Sequence, residues 1–435
     1  ISTTDHMLEA FTESGMRGFY RPVPRLLLGI NRAIHGIHPF GYHLINALVH
    51  VAVVIVLVKL LSAVSVGSGI PLIAGVLFAG HFVHVEPVYW VSARNELMAA
   101  LLYLSALWCT TQEERRLRIA ALAVFFLALL TKETAVTLPL TVVLVTMYKI
   151  EGADADRIRY GLRSGLPFVG VLGVYCLLRW GVGADWPWSS LEVGFGINPL
   201  LIIKNIEQYA VQLLVPVRSL MDLQSTDTYG AVTAAVRSGG SDARIWPWLL
   251  LGAVPLIAGI WLIIRLGGNA AAAGLVFTAT TALPFLFMDH TGLRYMYLPS
   301  AGFVMTLATC LTSLASRWPD TTQGKLIQWW LLRVIVCILL LLSLEQTRWW
   351  DEAGRLCTST VDRVLTHAAT VPTGTALYVF DIPRRIHGAY VFHNGFEDAV
   401  RMKNPGSLRS ILDGERMLEQ EGVPPDDVLV FRLDD

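Results

Sequence analysis

The sequence predicts an α-helical polytopic membrane protein with a small α/β domain at its C-terminal end. Of its 435 residues, 54% are hydrophobic and only 16% are charged, whereas about a quarter of the residues in ordinary soluble domains are charged. Residues 346–435 hold 10 of the 34 basic and 14 of the 34 acidic side chains. We therefore expect an outer-face loop with interfacial helices at residues 1–43, a transmembrane body at 44–345 and a soluble extracytoplasmic domain at 346–435.

Ten apolar runs in the body approach the length of about 20 residues that a membrane-spanning helix needs. Lys and Arg collect in alternate loops between these runs, which the positive-inside rule assigns to the cytoplasm. An even number of spans then places both the N-terminal segment and the C-terminal domain outside, in the periplasm of a bacterial inner membrane. The runs cover residues 44–62, 70–86, 95–110, 118–131, 134–149, 162–180, 247–265, 271–288, 296–314 and 327–344.

A further apolar segment at residues 198–218 is predicted as a re-entrant or interfacial helix. Its Lys204, Glu207 and Gln208 would be costly at the bilayer centre. Counting it as a span would also move the basic loops at Arg265 and Lys325 to the outer side.

Both ends of the chain carry expectations of their own. Residues 1–43 begin with Ile1 and hold neither a span nor a signal-peptide pattern, so we expect an N-terminal piece of the protein to precede them. In the C-terminal domain the pattern predicts helices over residues 352–368 and 407–422, and strands over residues 375–382, 388–394 and 427–433.

Four polar segments on the predicted outer side interrupt the apolar pattern. Charged and imidazole groups at this depth either face a polar cavity or bind headgroups and water. Basic residues here oppose the positive-inside trend, so we expect an anionic ligand, and the planar fork of an arginine suits a lipid-linked phosphate. The candidate residues are His81, His84, Glu86 and Arg94 in segment 81–96, Lys132 and Glu133 in segment 131–134, Arg294 and Tyr295 in segment 289–300, and Arg21 and His43 in segment 19–43.

Several other chemistries are poorly supported by the sequence. His81 and His84 with Glu86 resemble half of a metal site but lack the HExxH order, so we expect no divalent metal and no cofactor. There is no P-loop, no GxSxG and no GxGxxG after a strand. The five cysteines show no disulfide or zinc spacing, and a net charge of zero argues against a nucleic-acid partner.

Five blocks of the sequence, in order, resemble a known family. YRPVPRLLLGINRAIHGIHPFGYHLINALVH, AGVLFAGHFVHVEPVYWVSARNELMAALLYLSAL, LLTKETAVTLPL, RYMYLPSAGF and RWWDEAGRLCTST are similar to blocks of the tetratricopeptide-repeat transmembrane O-mannosyltransferases and their bacterial relatives, which are GT-C glycosyltransferases. The blocks extend over residues 19–360. The C-terminal domain shows no tetratricopeptide pattern, and Phe82 stands where the family usually has proline.

The resemblance implies transfer of a sugar from a polyprenyl-phosphate carrier to an acceptor hydroxyl of a protein or glycan. It implies a carboxylate base in the first outer loop, where Asp5 is the aspartate available, and Glu86 is the second catalytic candidate. Arg94, Arg294 and Lys132 would contact the donor phosphate. The residues that would line the cavity are His81, His84, Glu133, Arg21, His43 and Tyr295.

Two other functions compete with this hypothesis. The protein could be a catalytically inactive GT-C-like membrane subunit that docks a partner through its outer domain, since the usual acidic pair is absent from residues 1–43. A flippase for the same lipids is disfavoured because the polar groups gather at one face rather than along a path through the midplane.

Overall fold

The computed structural model describes residues 19–64, 67, 69–184, 198–216, 245–288, 291–317, 321–370, 376–392, 395–403, 410–414 and 429–432. The chain divides into two units. The first comprises Ile1–Pro216 with Asp227–Ser343, and the second comprises Val217–Thr226 with Leu344–Asp435.

The first unit is built from helices. Short 3-10 turns at Phe82–His84, Val91–Ala93, Glu133–Thr137 and Leu293–Met296 separate several of them. The helices are α1 Pro22–His35, α2 Pro39–Ala63, α3 Ile70–Ala79, α4 Val85–Tyr89, α5 Arg94–Thr110, α6 Arg115–Thr131, α7 Leu138–Lys149, α8 Asp154–Gly181, α9 Pro199–Leu214, α10 Ile245–Leu286, α11 Pro299–Ala315 and α12 Thr321–Ala368, the last of which continues into the second unit.

Among the described residues, four helices are long and apolar enough to cross a membrane, namely α2, α8, the Ala253–Leu286 part of α10, and α12 from Thr322. The pair formed by α3 and Phe82–Tyr89, bent by 51°, would be a fifth. These helices indicate a membrane protein, while the count of ten spans stays a prediction. Helices α5, α6 and α7 have 17, 17 and 12 residues, because the polar turns at their ends shorten them.

Small residues bring neighbouring helices close together. A Cβ atom added to Gly274 of α10 would lie 2.7 Å from the carbonyl oxygen of Gly302 in α11. A Cβ atom on Gly165 of α8 would lie 3.1 Å from the carbonyl oxygen of Pro139 in α7. Both contacts are typical of membrane helices, which pack through glycine because van der Waals contact replaces the hydrophobic effect in lipid.

Helix α9 occupies the segment predicted as re-entrant or interfacial. Its 16 residues are too few for a span. Its polar face is buried in the unit and includes Asn205 and Gln212, whereas its apolar face is exposed and includes Ile206 and Leu214. This arrangement is the reverse of a soluble amphipathic helix and suits a helix whose outer surface contacts lipid.

Helix α10 breaks at Gly268, where φ is 60°. Positive φ is accessible to glycine without a steric penalty. The break falls between the predicted runs 247–265 and 271–288, and their assignment as two separate spans stays a prediction.

The described part of the second unit contains β1 Ala376–Phe380, the antiparallel pair β2 Arg385–Ile386 and β3 Ala389–Tyr390, α13 Phe396–Lys403, β4 Ser410–Asp413 and β5 Leu429–Arg432. Among these elements, three strands form a parallel sheet of order β4-β1-β5. The core of this unit includes Val361 and Val364 of α12, Leu377 and Val379 of β1, and Phe396.

The prediction of a helix over residues 407–422 is wrong at its described residues. Ser410–Asp413 form a strand that pairs in parallel with Ala376–Val379. The helical spacing of apolar residues in this segment is a local signal, and pairing with a distant strand overrides it. The predicted helix 352–368 is the C-terminal part of α12.

Candidate functional site

Three of the predicted polar segments lie in short turns from which a new helix starts. The turn at Glu133–Thr137 is followed by α7, which carries Pro139 in its first turn, and the turn at Leu293–Met296 is followed by α11, which begins with Pro299. Proline is favoured in the first turn of a helix because its missing N–H is unpaired there in any case. The sequence therefore ends one helix, forms a short polar turn and starts the next helix.

Glu86 and Arg294 form an ion pair between two of these turns. Arg294 Nη1 donates to Glu86 Oε1 at 2.6 Å, and the backbone N–H of Arg294 donates to Glu86 Oε2 at 3.3 Å. The guanidinium carbon lies 5.0 Å from the ring centre of Trp90 and 4.5 Å from that of Tyr295. Because Glu86 is engaged by Arg294, it is placed to orient this cation.

Lys132 pairs with Glu96 in a buried contact. Its ammonium nitrogen also lies 5.1 Å from the ring centre of Tyr295 and 5.3 Å from that of Phe285. Burial lowers the pKa of Lys132 to about 8; the carboxylate of Glu96 partly opposes this shift, and the nearby Arg21 adds to it. Lys132 is therefore a cation that loses its charge at a lower pH than an ordinary lysine does.

Glu133 lies between two arginines. Arg21 donates to it through Nε at 3.0 Å and Nη2 at 2.8 Å, and Nη1 of Arg179 lies 3.4 Å from the other carboxylate oxygen. Burial alone would raise the pKa of Glu133, but the guanidinium of Arg21, with help from Arg179, outweighs burial and holds the pKa below its usual value. Glu133 is therefore ionised.

These side chains form one charged group, which we call the polar layer. Its positive charge exceeds its negative charge by one among the described residues, because four cations face three carboxylates. An excess cation in a buried site attracts an anion more strongly than it would in water. The members of the polar layer are Arg21, Glu86, Glu96, Lys132, Glu133, Arg179 and Arg294.

Arg94 has a different environment from the other arginines. It is 2% exposed and donates to Asn46 Oδ1 at 2.6 Å, Asn31 Oδ1 at 2.8 Å and the carbonyl oxygen of Tyr42 at 2.8 Å. These acceptors are neutral and belong to α1 and α2. These hydrogen bonds attach the start of α5 to α1 and α2. The contact of Arg94 with a donor phosphate stays a prediction.

The histidines form a separate cluster next to the turn at Phe82–His84. His84 Nε2 lies 2.9 Å from the hydroxyl oxygen of Ser300, and His50 Nδ1 lies 2.7 Å from that of Tyr297. The ring centre of His84 lies 5.1 Å from that of His50 and 5.7 Å from that of His81. Within the described part of the chain, no group of three or more His, Cys, Asp or Glu side chains could hold a metal ion.

The other predicted site residues are His43 and Asp5. His43 is exposed on α2 and its ring centre lies 6.3 Å from that of Tyr89. Asp5 lies outside the described residues. Arg179 and His50 belong to the site but were missed; Arg179 is a lone arginine near the predicted outer end of the span at 162–180, and this position was the available signal.

Comparisons with known proteins give partial matches. Protein O-mannosyl-transferase Tmtc2 of Drosophila melanogaster is 33% identical over 194 residues, which is 42% of this chain and 20% of that protein. Protein O-mannosyl-transferase TMTC2 of Homo sapiens is 37% identical over 99 residues, 22% of this chain and 12% of that protein. TMTC1 of Homo sapiens is 31% identical over 107 residues, 24% of this chain and 12% of that protein.

This similarity supports a relationship with the protein O-mannosyl-transferases. The chain matches about a fifth or less of the length of these curated relatives. No protein-family model matches the chain, and no solved structure matches it. The resemblance to these transferases is thereby confirmed, while the link to bacterial relatives and the absence of repeats stay predictions.

Proposed function

We propose that the protein transfers a sugar, as the O-mannosyl-transferases are named for doing, from a polyprenyl-phosphate carrier to an acceptor hydroxyl. The observation that carries this proposal is the concentration of cations in the polar layer, where Arg21, Lys132, Arg179 and Arg294 lie close together among the described residues. A phosphate diester carries one negative charge, and arginine and lysine side chains are the usual ligands of such a group. The reaction would occur at the outer face of the membrane, with residues 346–435 on the same side, in the periplasm if the membrane is a bacterial inner membrane.

In the proposed reaction the bond between the anomeric carbon and the phosphate oxygen breaks, and its electron pair leaves with the phosphate. The acceptor oxygen forms the new bond to that carbon through an oxocarbenium-like state, and a carboxylate takes the hydroxyl proton. Lys132 and Arg294 would hold the departing phosphate. Donors already fixed in place stabilise the developing charge at little cost in reorganisation.

The carboxylates divide into different roles in this scheme. Glu86, Glu96 and Glu133 each face a cation, which makes them positioning residues for Arg294, Lys132 and Arg21. The proton would go to a carboxylate outside the described residues, and Asp5 is our candidate. His81 and His84, with Tyr295, would line the cavity on the sugar or acceptor side.

The test is turnover of the full chain in proteoliposomes, with radiolabelled polyprenyl-phosphate mannose and a serine- and threonine-containing acceptor peptide. Arg294→Gln should lower kcat/KM by about tenfold or more, since a hydrogen bond to a charged group contributes about 1.5–3 kcal/mol. Arg163→Gln is the control, because Arg163 is an exposed arginine on α8. Equal turnover of both variants would refute the assigned role.

Each of the three polar-layer carboxylates among the described residues faces a cation, which also favours the second candidate, an inactive membrane subunit that docks a partner protein through residues 346–435. Such a subunit would show no turnover with any polyprenyl-phosphate sugar, including glucose and N-acetylglucosamine donors. It would instead retain a partner when the full chain is purified from its native membrane.

A further inference from the structure

A second candidate binding site lies inside the helical unit, away from the polar layer. It is a cavity of about 280 Å³, close to the lower limit of about 300 Å³ for ligand pockets. Leu60, which lines it, follows His43 by 17 residues on the same helix, or about 25 Å at 1.5 Å per residue. The cavity therefore lies at the opposite end of α2 from the polar segments.

The walls of this cavity are almost entirely apolar. The apolar wall residues come from five helices, α2, α5, α7, α10 and α11, and include Leu57, Leu104, Leu144, Val145, Ala273 and Met305, while a sixth helix, α8, contributes Arg157. Val276, which also lines the cavity, is 44% exposed on the surface of the unit. The cavity is thus a cleft that opens on an apolar surface and suits a hydrocarbon chain rather than a water-soluble molecule.

Polar groups occur at one end of the cleft. Tyr148 lies at the end of α7, Arg157 in the first turn of α8, and Asn269 directly after the break of α10 at Gly268. Arg157 Nε donates to the carbonyl oxygen of Met147 at 3.0 Å, which holds the side chain at this mouth.

The guanidinium of Arg157 is weakly neutralised. Its Nη1 lies 3.3 Å from Asp154 Oδ1, and the Asp154 side chain is 90% exposed while that of Arg157 is 34% exposed. An ion pair exposed to this degree contributes little. Arg157 can therefore offer its charge to an anion at the mouth of the cleft.

We propose that this cleft binds one acyl chain of an anionic phospholipid, whose phosphate is held at Arg157. The chain would extend from the mouth towards Thr141 and Gly302, deeper in the bundle. The orientation matches a lipid of the leaflet on the side of the basic loops, the cytoplasmic leaflet by the positive-inside rule. The lipid is therefore distinct from the outer-face donor, and its site is independent of the proposed transfer reaction.

The bound acyl chain would fill the space between the helices that line the cleft and would contact those helices. A ligand that binds the folded state and not the unfolded state raises the free energy of unfolding. The increase grows with the logarithm of the ligand concentration divided by Kd. The anionic lipid should therefore raise the thermal stability of the detergent-solubilised full chain, whereas a zwitterionic lipid with the same acyl chains should have a smaller effect.

The test is photolabelling in vesicles of 80% phosphatidylcholine and 20% phosphatidylglycerol. A trace of phosphatidylglycerol with a diazirine on one acyl chain should label peptides of α7 and α10. It should do so about fivefold more than the phosphatidylcholine analogue, as expected for one basic side chain near an anionic lipid surface. Equal labelling by the two headgroups would overturn the proposal, as would displacement by a polyprenyl phosphate at lower concentration than by phosphatidylglycerol.

Two variants with matched controls sharpen the test. Ala273→Phe fills the cleft and should abolish labelling, whereas Ala279→Phe, at an exposed position of the same helix, should not. Arg157→Gln should remove the headgroup preference, whereas Arg163→Gln should keep it. If Ala273→Phe does not assemble, the Arg157 pair carries the test, and an unchanged preference in Arg157→Gln overturns the proposal.

Discussion

Removal of the Glu133 carboxylate should destabilise the helical unit strongly. This side chain is 8% exposed and forms ion pairs with Arg21 and Arg179, of which the Arg179 side chain is 2% exposed. Glu133→Ala would remove the carboxylate that both guanidinium groups face, and breaking a buried ion pair in this way costs about 3–5 kcal/mol. The excess positive charge of the polar layer would also double.

The assay is reversible unfolding of the full chain in mixed micelles with increasing SDS, compared with Asp154→Asn as the control. Asp154 forms an exposed pair with Arg157, so its substitution should cost less than about 1 kcal/mol. Glu133→Ala combined with Arg179→Met should recover part of the lost free energy, because one of the two cations that face Glu133 is removed together with it. A cost for Glu133→Ala as small as that of the control would refute the reasoning that Glu133 is a buried structural anion.

Three further predictions concern charge, packing and helix anchoring. Because the pKa of Lys132 is lowered to about 8, the KM for the donor should be constant below that pH and rise above it. Lys132→Arg should move this rise in KM to higher pH. Identical pH profiles of KM in the wild type and the variant would contradict the role of Lys132. Gly302→Ala should lower the unfolding free energy by about 1–3 kcal/mol through overpacking, because the new Cβ atom would overlap the carbonyl oxygen of Gly274. The control is Gly173→Ala, which should not be destabilising because the space around Gly173 is open. Arg94→Lys should lose stability and turnover together in thermal-shift and activity assays, since one ammonium cannot reach all three acceptors; wild-type stability would contradict its anchoring role.

The individual charged residues of the site could be found from the sequence, because a charge within an apolar run is conspicuous. Glu86, Lys132 and Arg294 were recognised in this way. Their partners could not be assigned, since Glu86 and Arg294 are 208 residues apart and nothing local specifies that they meet. Arg94 shows the same limit, because nothing in the local sequence specifies that it donates to Asn31, Asn46 and the carbonyl oxygen of Tyr42.

The fold could be predicted where the signal was local. Strands β1 and β5 lie within the short apolar runs predicted as strands at residues 375–382 and 427–433. Strand β4 was predicted as a helix, since its pairing with β1 is a contact between distant segments. Helix α9 was recognised because Lys204 and Gln208 could not face lipid, and both are buried in the unit.

The central claim is that the polar layer holds a lipid-linked phosphate. The direct test is equilibrium binding of a fluorescent polyprenyl-phosphate mannose to the full chain in nanodiscs of neutral lipid. Lys132→Gln and Arg294→Gln should each raise Kd by about tenfold or more, as expected for loss of a charged hydrogen bond, while Arg163→Gln should bind as the wild type does. Unchanged Kd in both Lys132→Gln and Arg294→Gln would contradict the claim.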